Sequence, residues 1–254
     1  MDKTAALFDL SGHVACVTGA SAGLGRRSAI ALTNAGAKVI GIARRGAALH
    51  DLQSELGADR FAYCVADVAQ RDMLDDLVGR IATPFGAPDI LVQAAGVNTR
   101  QPADDVTDDG WDQTLALNLT APFFLAKALV PAMKHRGWGR IVNFASLQTT
   151  RAFPGGISYG ASKAGIGQLT RAMAEAWSHH GICANAIGPG FFPTELTQPV
   201  FDDPDRAARN AAQTCIGRNG ALNDIDGPIV FLCSEASAYV TGQILMVDGG
   251  FTAK

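Results

Sequence analysis

The sequence predicts an α/β protein, a doubly wound parallel sheet of about seven strands flanked by helices, in one domain over residues 1–254. Two observations carry this. Apolar runs of strand length alternate along the whole chain with stretches that repeat at helical spacing. Neither a linker-like composition nor an internal repeat interrupts the alternation. A third observation sets the starting point: the first apolar run feeds a glycine-rich turn that opens an amphipathic stretch.

Residues 13–18 (His-Val-Ala-Cys-Val-Thr) read as the first strand, and the turn after it is Gly19-Ala-Ser21-Ala-Gly23-Leu24-Gly25. Bare backbone permits a tight turn and lets a pyrophosphate approach the N–H groups at the start of the next helix. An ordinary strand–helix turn is the alternative reading. The helical stretch 26–35 closes at Gly36, and 37–43 is a second strand followed by Arg44, Arg45 and a helix over 48–56. In a dinucleotide fold this strand end lies beside the adenosine ribose, where an acid suits a 2′-hydroxyl and an arginine a 2′-phosphate. Here there is no acid, and a guanidinium fork matches phosphate geometry, so NADP(H) is expected over NAD(H). A solvated basic turn is the competing reading.

The third strand, 61–66, ends at Asp67 and Val68, and helical spacing returns over 73–81 until Pro84 and Gly86. A fourth strand, 89–93, leads into Ala94-Ala95-Gly96, small residues against which a planar group can lie. Asp67 also reads as a helix N-cap, and Gly96 as close strand–helix packing. The long apolar stretch 110–136 contains Asn118, and its Pro122 and Pro131 predict a bend or two helices end to end. A fifth strand, 140–145, delivers Ser146, and the helix that carries Tyr159 runs to about residue 179. Its Gly160, Ala161, Ala164, Gly165 and Gly167 permit another helix to pack closely. The sixth strand, 181–187, ends in Gly188-Pro189-Gly190, and 191–220 is read as irregular with a short basic helix over 206–213. A loop this long in a compact domain reads as a lid, about 190–220. A helix over 224–233 and a strand over 243–247 complete the chain. Because ligands on such sheets bind at the carboxyl ends of the strands, Gly19, Asp67, Gly96, Ser146 and Pro189 should converge.

Composition narrows the function classes. No segment is read as long and apolar enough to span a bilayer, and residues 1–11, with Asp2, Lys3 and Asp9, lack the apolar core of a signal peptide. The net charge of −3 is interspersed, which leaves no electrostatic footprint for nucleic acid or an anionic membrane. Five scattered cysteines without a C-x-x-C pair read as reduced, mostly buried residues of a cytoplasmic protein. No metal site is expected, since adjacent His179 and His180 have no ligand partner at metal spacing.

The chemistry centres on Ser158-Tyr159-Gly-Ala-Ser-Lys163. Four residues apart on a helix, Tyr159 and Lys163 share a face. A free phenol titrates near ~10, and a neighbouring ammonium lowers that value toward the range of acid–base catalysis. Alone, the pair also fits an ordinary surface helix.

In this order and spacing, Thr18-Gly-Ala-Ser-Ala-Gly-Leu-Gly25, Asp67-Val68, Asn118, Ser146, Tyr159-x-x-x-Lys163 and Pro189-Gly190 resemble the short-chain dehydrogenase/reductase family over essentially the whole chain. The resemblance implies a Rossmann-like fold and an oxidoreductase interconverting a ketone and a secondary alcohol. Tyr159 would be the general acid or base, with Ser146 a donor to the same oxygen. Lys163 would bind the nicotinamide ribose and depress the Tyr159 pKa; Asn118 would hold a helix irregularity and a water in a proton relay. Gly19, Gly23, Leu24 and Gly25 would line the pyrophosphate, Asp67 and Val68 the adenine. Ala95, Gly96, Pro189, Gly190 and Thr194 would line the rest of the cofactor, Thr194 at the carboxamide. Two departures matter. Gln93-Ala-Ala-Gly96 replaces the frequent Asn-Asn-Ala-Gly, which puts a structural cross-link of the sheet at risk. Ala22 stands where some NADP-preferring members carry a basic residue, which leaves the phosphate to Arg44, with Ser21 and Arg45. The family also implies a homodimer or homotetramer built on the two long helices.

The stretches Gly96-Val-Asn-Thr-Arg100-Gln-Pro102 and Ser146-Leu-Gln148 resemble the branch of gluconate 5-dehydrogenases and ketodeoxygluconate dehydrogenases. A keto sugar acid or polyol acid is therefore the expected small-molecule substrate, its carboxylate paired with Arg100 or Arg151. Gln148 lies on the same loop, and Phe153, Phe191 and Phe192 offer an apolar wall. A 3-oxoacyl thioester reductase is the alternative within the class, and a non-catalytic cofactor-binding scaffold is the alternative outside it.

Overall fold

The computed structural model describes residues 3–254; Met1 and Asp2, part of the 1–11 segment discussed above, lie outside the described residues. A short helix α1 (Lys3–Ala6) precedes the sheet. Each apolar run becomes a strand: β1 (Val14–Thr18), β2 (Lys38–Ala43), β3 (Phe61–Val65), β4 (Ile90–Gln93), β5 (Gly139–Phe144), β6 (Ile182–Pro189) and β7 (Ile244–Val247). They pair in parallel in the order β3-β2-β1-β4-β5-β6-β7. The chain winds outward from β1 to β3, then restarts at β4 on the other side of β1. That reversal opens a crevice beyond Thr18 and Gln93, which are register partners at the ends of β1 and β4.

Alternation along each strand builds two cores. Ala15, Val17, Ile90 and Val92 face α2 (Gly23–Asn34), α3 (Gly46–Leu56) and a late helix, Asp226–Cys233. Cys16 and Leu91 face the opposite way, toward α4 (Leu74–Ala82) and two longer helices, Ala121–Arg136 and Ile157–Trp177. With both faces covered, β5 is buried throughout, as a parallel sheet requires.

The stretch expected to bend or to divide into two helices end to end takes the second form. It comprises α5 (Asp108–Leu115), a π-helical turn over Ala116–Thr120 and α6 (Ala121–Arg136). Pro122 falls just after the π turn, in a helix already continuous from α5, so its missing N–H removes a bond to the Asn118 carbonyl, and the helix continues through Pro131. The irregularity is centred on Asn118, four residues before Pro122. Joined, Asp108–Arg136 is a 29-residue helix containing an 18-residue window of mean hydropathy 1.5, long and apolar enough to cross a membrane, contrary to the sequence expectation. Its apolar residues have a use within the fold: Leu125, Leu129 and Met133 belong to the second core.

The loop 191–220 is more regular than expected. It contains a tight turn (Glu195–Thr197), α8 (Gln198–Phe201) and α9 (Pro204–Gln213), the last capped by the Asp203 carboxylate on Arg206 N. The short basic helix read over 206–213 thus starts earlier, because Asp203 and Pro204 form a proper N-terminus. α7 (Ile157–Trp177) and α10 (Asp226–Cys233) complete the layers. Cys16, Cys64, Cys183 and Cys233 are buried and free, whereas Cys215 is exposed.

The departure at Gln93 does not remove the sheet's cross-link. Its Nε2 donates to Asn143 Oδ1 at 2.9 Å and to Pro122 O at 3.0 Å, both buried, and Asn143 Nδ2 continues to Thr170 Oγ1 at 2.9 Å. One longer amide therefore ties β4 to β5 and α6, and Asn143 carries the link to α7. Replacing it as Gln93→Leu leaves two buried acceptors without a donor. The expected loss is about 1–3 kcal/mol, read as a lowered urea midpoint with an unchanged slope.

Candidate active site

The glycine turn is shaped by close backbone approach. Gly19 has φ +70°, and a Cβ there would lie 2.8 Å from Ala95 N; one at Gly25 would overlap the Gly19 carbonyl. Ala95 N donates to Thr18 Oγ1 at 3.2 Å, which docks the loop after β4 onto this turn. Ala22, at the N-cap of α2, supplies no side-chain acceptor, so the first N–H groups of that helix stay available to a ligand. Leu24 packs into the first core beneath. This cradle of bare backbone at a helix start fits a cofactor pyrophosphate.

At the end of β2 the two arginines differ. Arg44 is largely exposed, its Nη1 3.9 Å from Asp67 Oδ2. Arg45 reaches back to the glycine turn, with Nε and Nη2 3.2 and 3.0 Å from Ser21 Oγ. Its Nη1 meets Glu195 Oε1 at 2.7 Å, and sequence reasoning missed that acid because it is 150 residues away in the lid. Asp67 Oδ1 accepts from Ala69 N at 3.0 Å, a local turn rather than the expected helix N-cap, since the next helical residues begin at Arg71 behind Gln70; Val68 packs on the second core.

Beyond β5, Ser146 caps a tight turn through Gln148 N to Ser146 Oγ at 3.1 Å. Tyr159 and Lys163 lie in the first two turns of α7, both buried. Lys163 Nζ stands 5.6 Å from the Tyr159 ring centre and donates to Phe144 O at 2.7 Å. Asn118 brings the segments together. Its Oδ1 accepts from Val97 N at 2.9 Å, while Nδ2 donates to Val97 O at 2.8 Å and Ser162 Oγ at 3.1 Å. A Cβ on Gly96 would be 3.3 Å from Asn118 Oδ1 and 3.8 Å from Lys163 Nζ, so these three positions adjoin.

The proton balance differs from the sequence expectation. Burial pushes the Tyr159 phenol up, opposed in part by the Ser146 hydroxyl and the Arg100 charge. Burial also lowers Lys163 to about 8. The ammonium is turned to a carbonyl rather than to the phenolic oxygen, and desolvation outweighs any pull it exerts on Tyr159. In the protein alone Tyr159 is therefore a held proton donor, not a depressed acid.

The residues expected to meet substrate separate into two groups. Arg100 is the one non-glycine residue with positive φ among the described residues, at +53°. Its Nη2 donates to Leu196 O at 2.6 Å, and its charge is felt at Tyr159. Burial and the charge of Arg206, a residue not foreseen, lower its pKa. Gln148 lays its amide against the start of α7, where a Cβ on Gly160 would be 3.3 Å from its Oε1. Arg151 is instead turned to the chain end: Nη2 donates to Lys254 O at 2.7 Å and Cζ stands 5.5 Å from the Phe251 ring. Phe153 and Phe191 form an aromatic cluster with Phe251, centres 5.8–6.3 Å apart. Phe192 is buried against Gly220 at the base of the lid. Pro189 ends β6 in register with Val247, and Gly190 packs on Asp248. Thr194 lies over the glycine turn, its side chain 3.2 Å from where a Gly23 Cβ would be.

A dinucleotide cradle, a buried tyrosine–lysine pair and a half-buried serine, set at the switch point of a parallel sheet, define a nicotinamide-dependent oxidoreductase. The family model described as enoyl-(acyl carrier protein) reductase matches residues 19–252. The gluconate 5-dehydrogenase of Gluconobacter oxydans is 39% identical, over 97% of both chains. The 3-oxoacyl-(acyl-carrier-protein) reductase of Salmonella typhimurium is 34% identical over 96% of this chain and 98% of its own. Among solved structures, a gluconate 5-dehydrogenase from Burkholderia cenocepacia, in complex with NADP and tartrate, superposes with a TM-score of 0.93 at 33% identity, covering 99% of each chain. The chain belongs to the short-chain dehydrogenase/reductase family.

The Lys163 shift has a measurable sign. Its folded value, about 8, lies below the unfolded 10.5, so between them the unfolded chain binds more protons and stability rises with pH. The burial cost is fully present below pH 8. Urea midpoints at pH 7.5 and 9.5 should show this rise in the wild type relative to Lys163→Met; equal pH dependence of the two proteins refutes it.

Proposed function

We propose that the protein is an NADP(H)-preferring oxidoreductase interconverting a ketone and a secondary alcohol on a small keto sugar acid or the matching polyol acid. The observation that carries the substrate reading is Arg100. A partly desolvated guanidinium on strained backbone, with its charge reaching Tyr159, is a fixed cation beside the proton donor. A carboxylate on the substrate would take it up.

When bound, the cofactor supplies or accepts the hydride. Tyr159 gives its proton to the carbonyl oxygen during reduction and recovers it in oxidation, while the Ser146 hydroxyl donates to the same oxygen. A phenol whose pKa burial has raised keeps that proton until charge develops next to it. Lys163 holds the nicotinamide ribose hydroxyls, and Asn118 fixes the π turn and a water that passes protons from Lys163 to solvent. Gly19, Gly23, Leu24 and Gly25 hold the pyrophosphate, and Asp67 and Val68 the adenine. Ser21, Arg44 and Arg45 hold a 2′-phosphate. Ala95, Gly96, Pro189, Gly190 and Thr194 line the nicotinamide end. Residues 190–220 act as the lid of the one domain, and Gln148, Phe153 and Phe191 shape the pocket; Arg151 has no part in it. The NADP held by the Burkholderia relative supports the cofactor preference.

Association into a dimer or tetramer is supported by α7. Gly165 and Gly167 are used internally, against Leu119 and Ile244, whereas Ile157, Ala161 and Ala164 stay exposed along one stripe. The five free cysteines suit a reducing cytoplasm.

Following NADPH oxidation at 340 nm with a 5-ketogluconate-type acid, a neutral diketone and an acetoacetyl thioester tests the substrate class. Arg100→Ala should raise KM about 10- to 100-fold for the acid and leave the diketone unaffected. Unchanged KM sinks the carboxylate reading, and turnover of the thioester alone moves the protein to the 3-oxoacyl reductase that the Salmonella relative represents. Tyr159→Phe should lower kcat by about 10²–10⁴-fold with cofactor binding retained. Undiminished turnover would remove Tyr159 from the chemistry, and a wild type that binds cofactor without any turnover would be a scaffold.

A further inference from the structure

The mechanism makes no use of Glu195, yet its carboxylate reaches the corner of the cleft assigned to the 2′-phosphate. Arg45 is engaged on both sides there. Its Nε–Nη2 edge donates to the neutral Ser21 hydroxyl, and Nη1 donates to Glu195 Oε1 at 2.7 Å. Among the described residues, neighbouring Arg44 has no comparable partner beyond Asp67 at 3.9 Å. Glu195 is held where it is by its own turn. Thr194 N donates to Thr197 Oγ1 and Thr197 N to Thr194 O, each at 3.0 Å, while Leu196 O accepts from Arg100 Nη2 at 2.6 Å. The Thr194 side chain sits on Gly23, so the turn rests on the glycine loop itself.

We propose that Glu195 is a specificity-determining residue: by occupying Arg45 it lowers affinity for a 2′-phosphorylated nicotinamide cofactor and leaves one with a free 2′-hydroxyl unaffected. This rests on the reading that Ser21, Arg44 and Arg45 face the 2′-phosphate. A phosphate can displace the Ser21 hydroxyl from the Nε–Nη2 edge, because that hydroxyl is neutral and the edge matches two phosphate oxygens. It then meets a second anion across the same guanidinium. Arg45 and Glu195 are both more than half exposed, so the repulsion is damped by solvent and salt. The balance between the two cofactors is therefore tuned by a lid residue, whereas the end of β2 supplies only the attraction.

Fluorescence titration of the wild type, Glu195→Gln, Arg44→Ala and Arg45→Ala with NADPH and with NADH tests this. Glu195→Gln should lower the NADPH Kd about 3- to 10-fold at low ionic strength and move the NADH Kd by less than about 2-fold, a gain that shrinks in high salt. Equal shifts for both cofactors, no shift, or weakened NADH binding would each overturn the proposal; the last would make Glu195 a ribose ligand. The arginine variants separate this from the reading beneath it. If neither changes the ratio of NADPH to NADH affinity, the phosphate corner itself is wrong. If they change it and Glu195→Gln does not, only the role of Glu195 fails.

Discussion

One side-chain amide joins the segments on which the site is built. Asn118 both accepts from and donates to the Val97 backbone, and a third hydrogen bond reaches Ser162 on the Tyr159 helix. An ordinary α-helical turn at this point would direct the side chain elsewhere. The π turn over Ala116–Thr120 turns Asn118 into the gap between the loop after β4 and the start of α7. Ser162 then donates to Tyr159 O at 2.7 Å, so the carrier of the phenol is fixed through the same chain of bonds. The irregularity in the helix is thus the means by which three separate segments share one geometry.

Around that anchor the protein buries two groups that prefer water. Tyr159 and Lys163 are both nearly inaccessible, and desolvation moves each toward its neutral form. Among the described residues Lys163 has a backbone carbonyl as its partner and no carboxylate, which leaves its charge weakly held. A site arranged in this way stores protonation free energy that a ligand can change by bringing charge or hydroxyl groups of its own. Arg100, strained at φ +53°, belongs to the same economy of fixed charge near the phenol.

A single turn in the 191–220 loop is tied to two separate loops at the rim of the sheet. Arg45 binds Glu195, and Arg100 binds the adjacent Leu196 carbonyl. Each guanidinium belongs to a loop that follows a different strand, so the turn at 195–197 contacts both. Sequence could not show this, since the partners are 150 and 96 residues apart.

What the sequence determined by itself is what local periodicity and short motifs encode. Strand-length apolar runs placed all seven strands, and Gly19 and Gly25 stand where any side chain would strike backbone. Gly19, Asp67, Gly96, Ser146 and Pro189 were also assigned to one edge, because parallel strands deliver their carboxyl ends to the same side. Tertiary structure alone decided the pairings. Gln93 was read as a lost cross-link, yet one extra methylene lets its amide reach Asn143 and Pro122 together. Arg151 was read as a pocket residue, but the chain end takes its guanidinium. Burial decided the direction of the Tyr159 shift, because desolvation depends on every neighbour packed around the ring and no four-residue spacing records it.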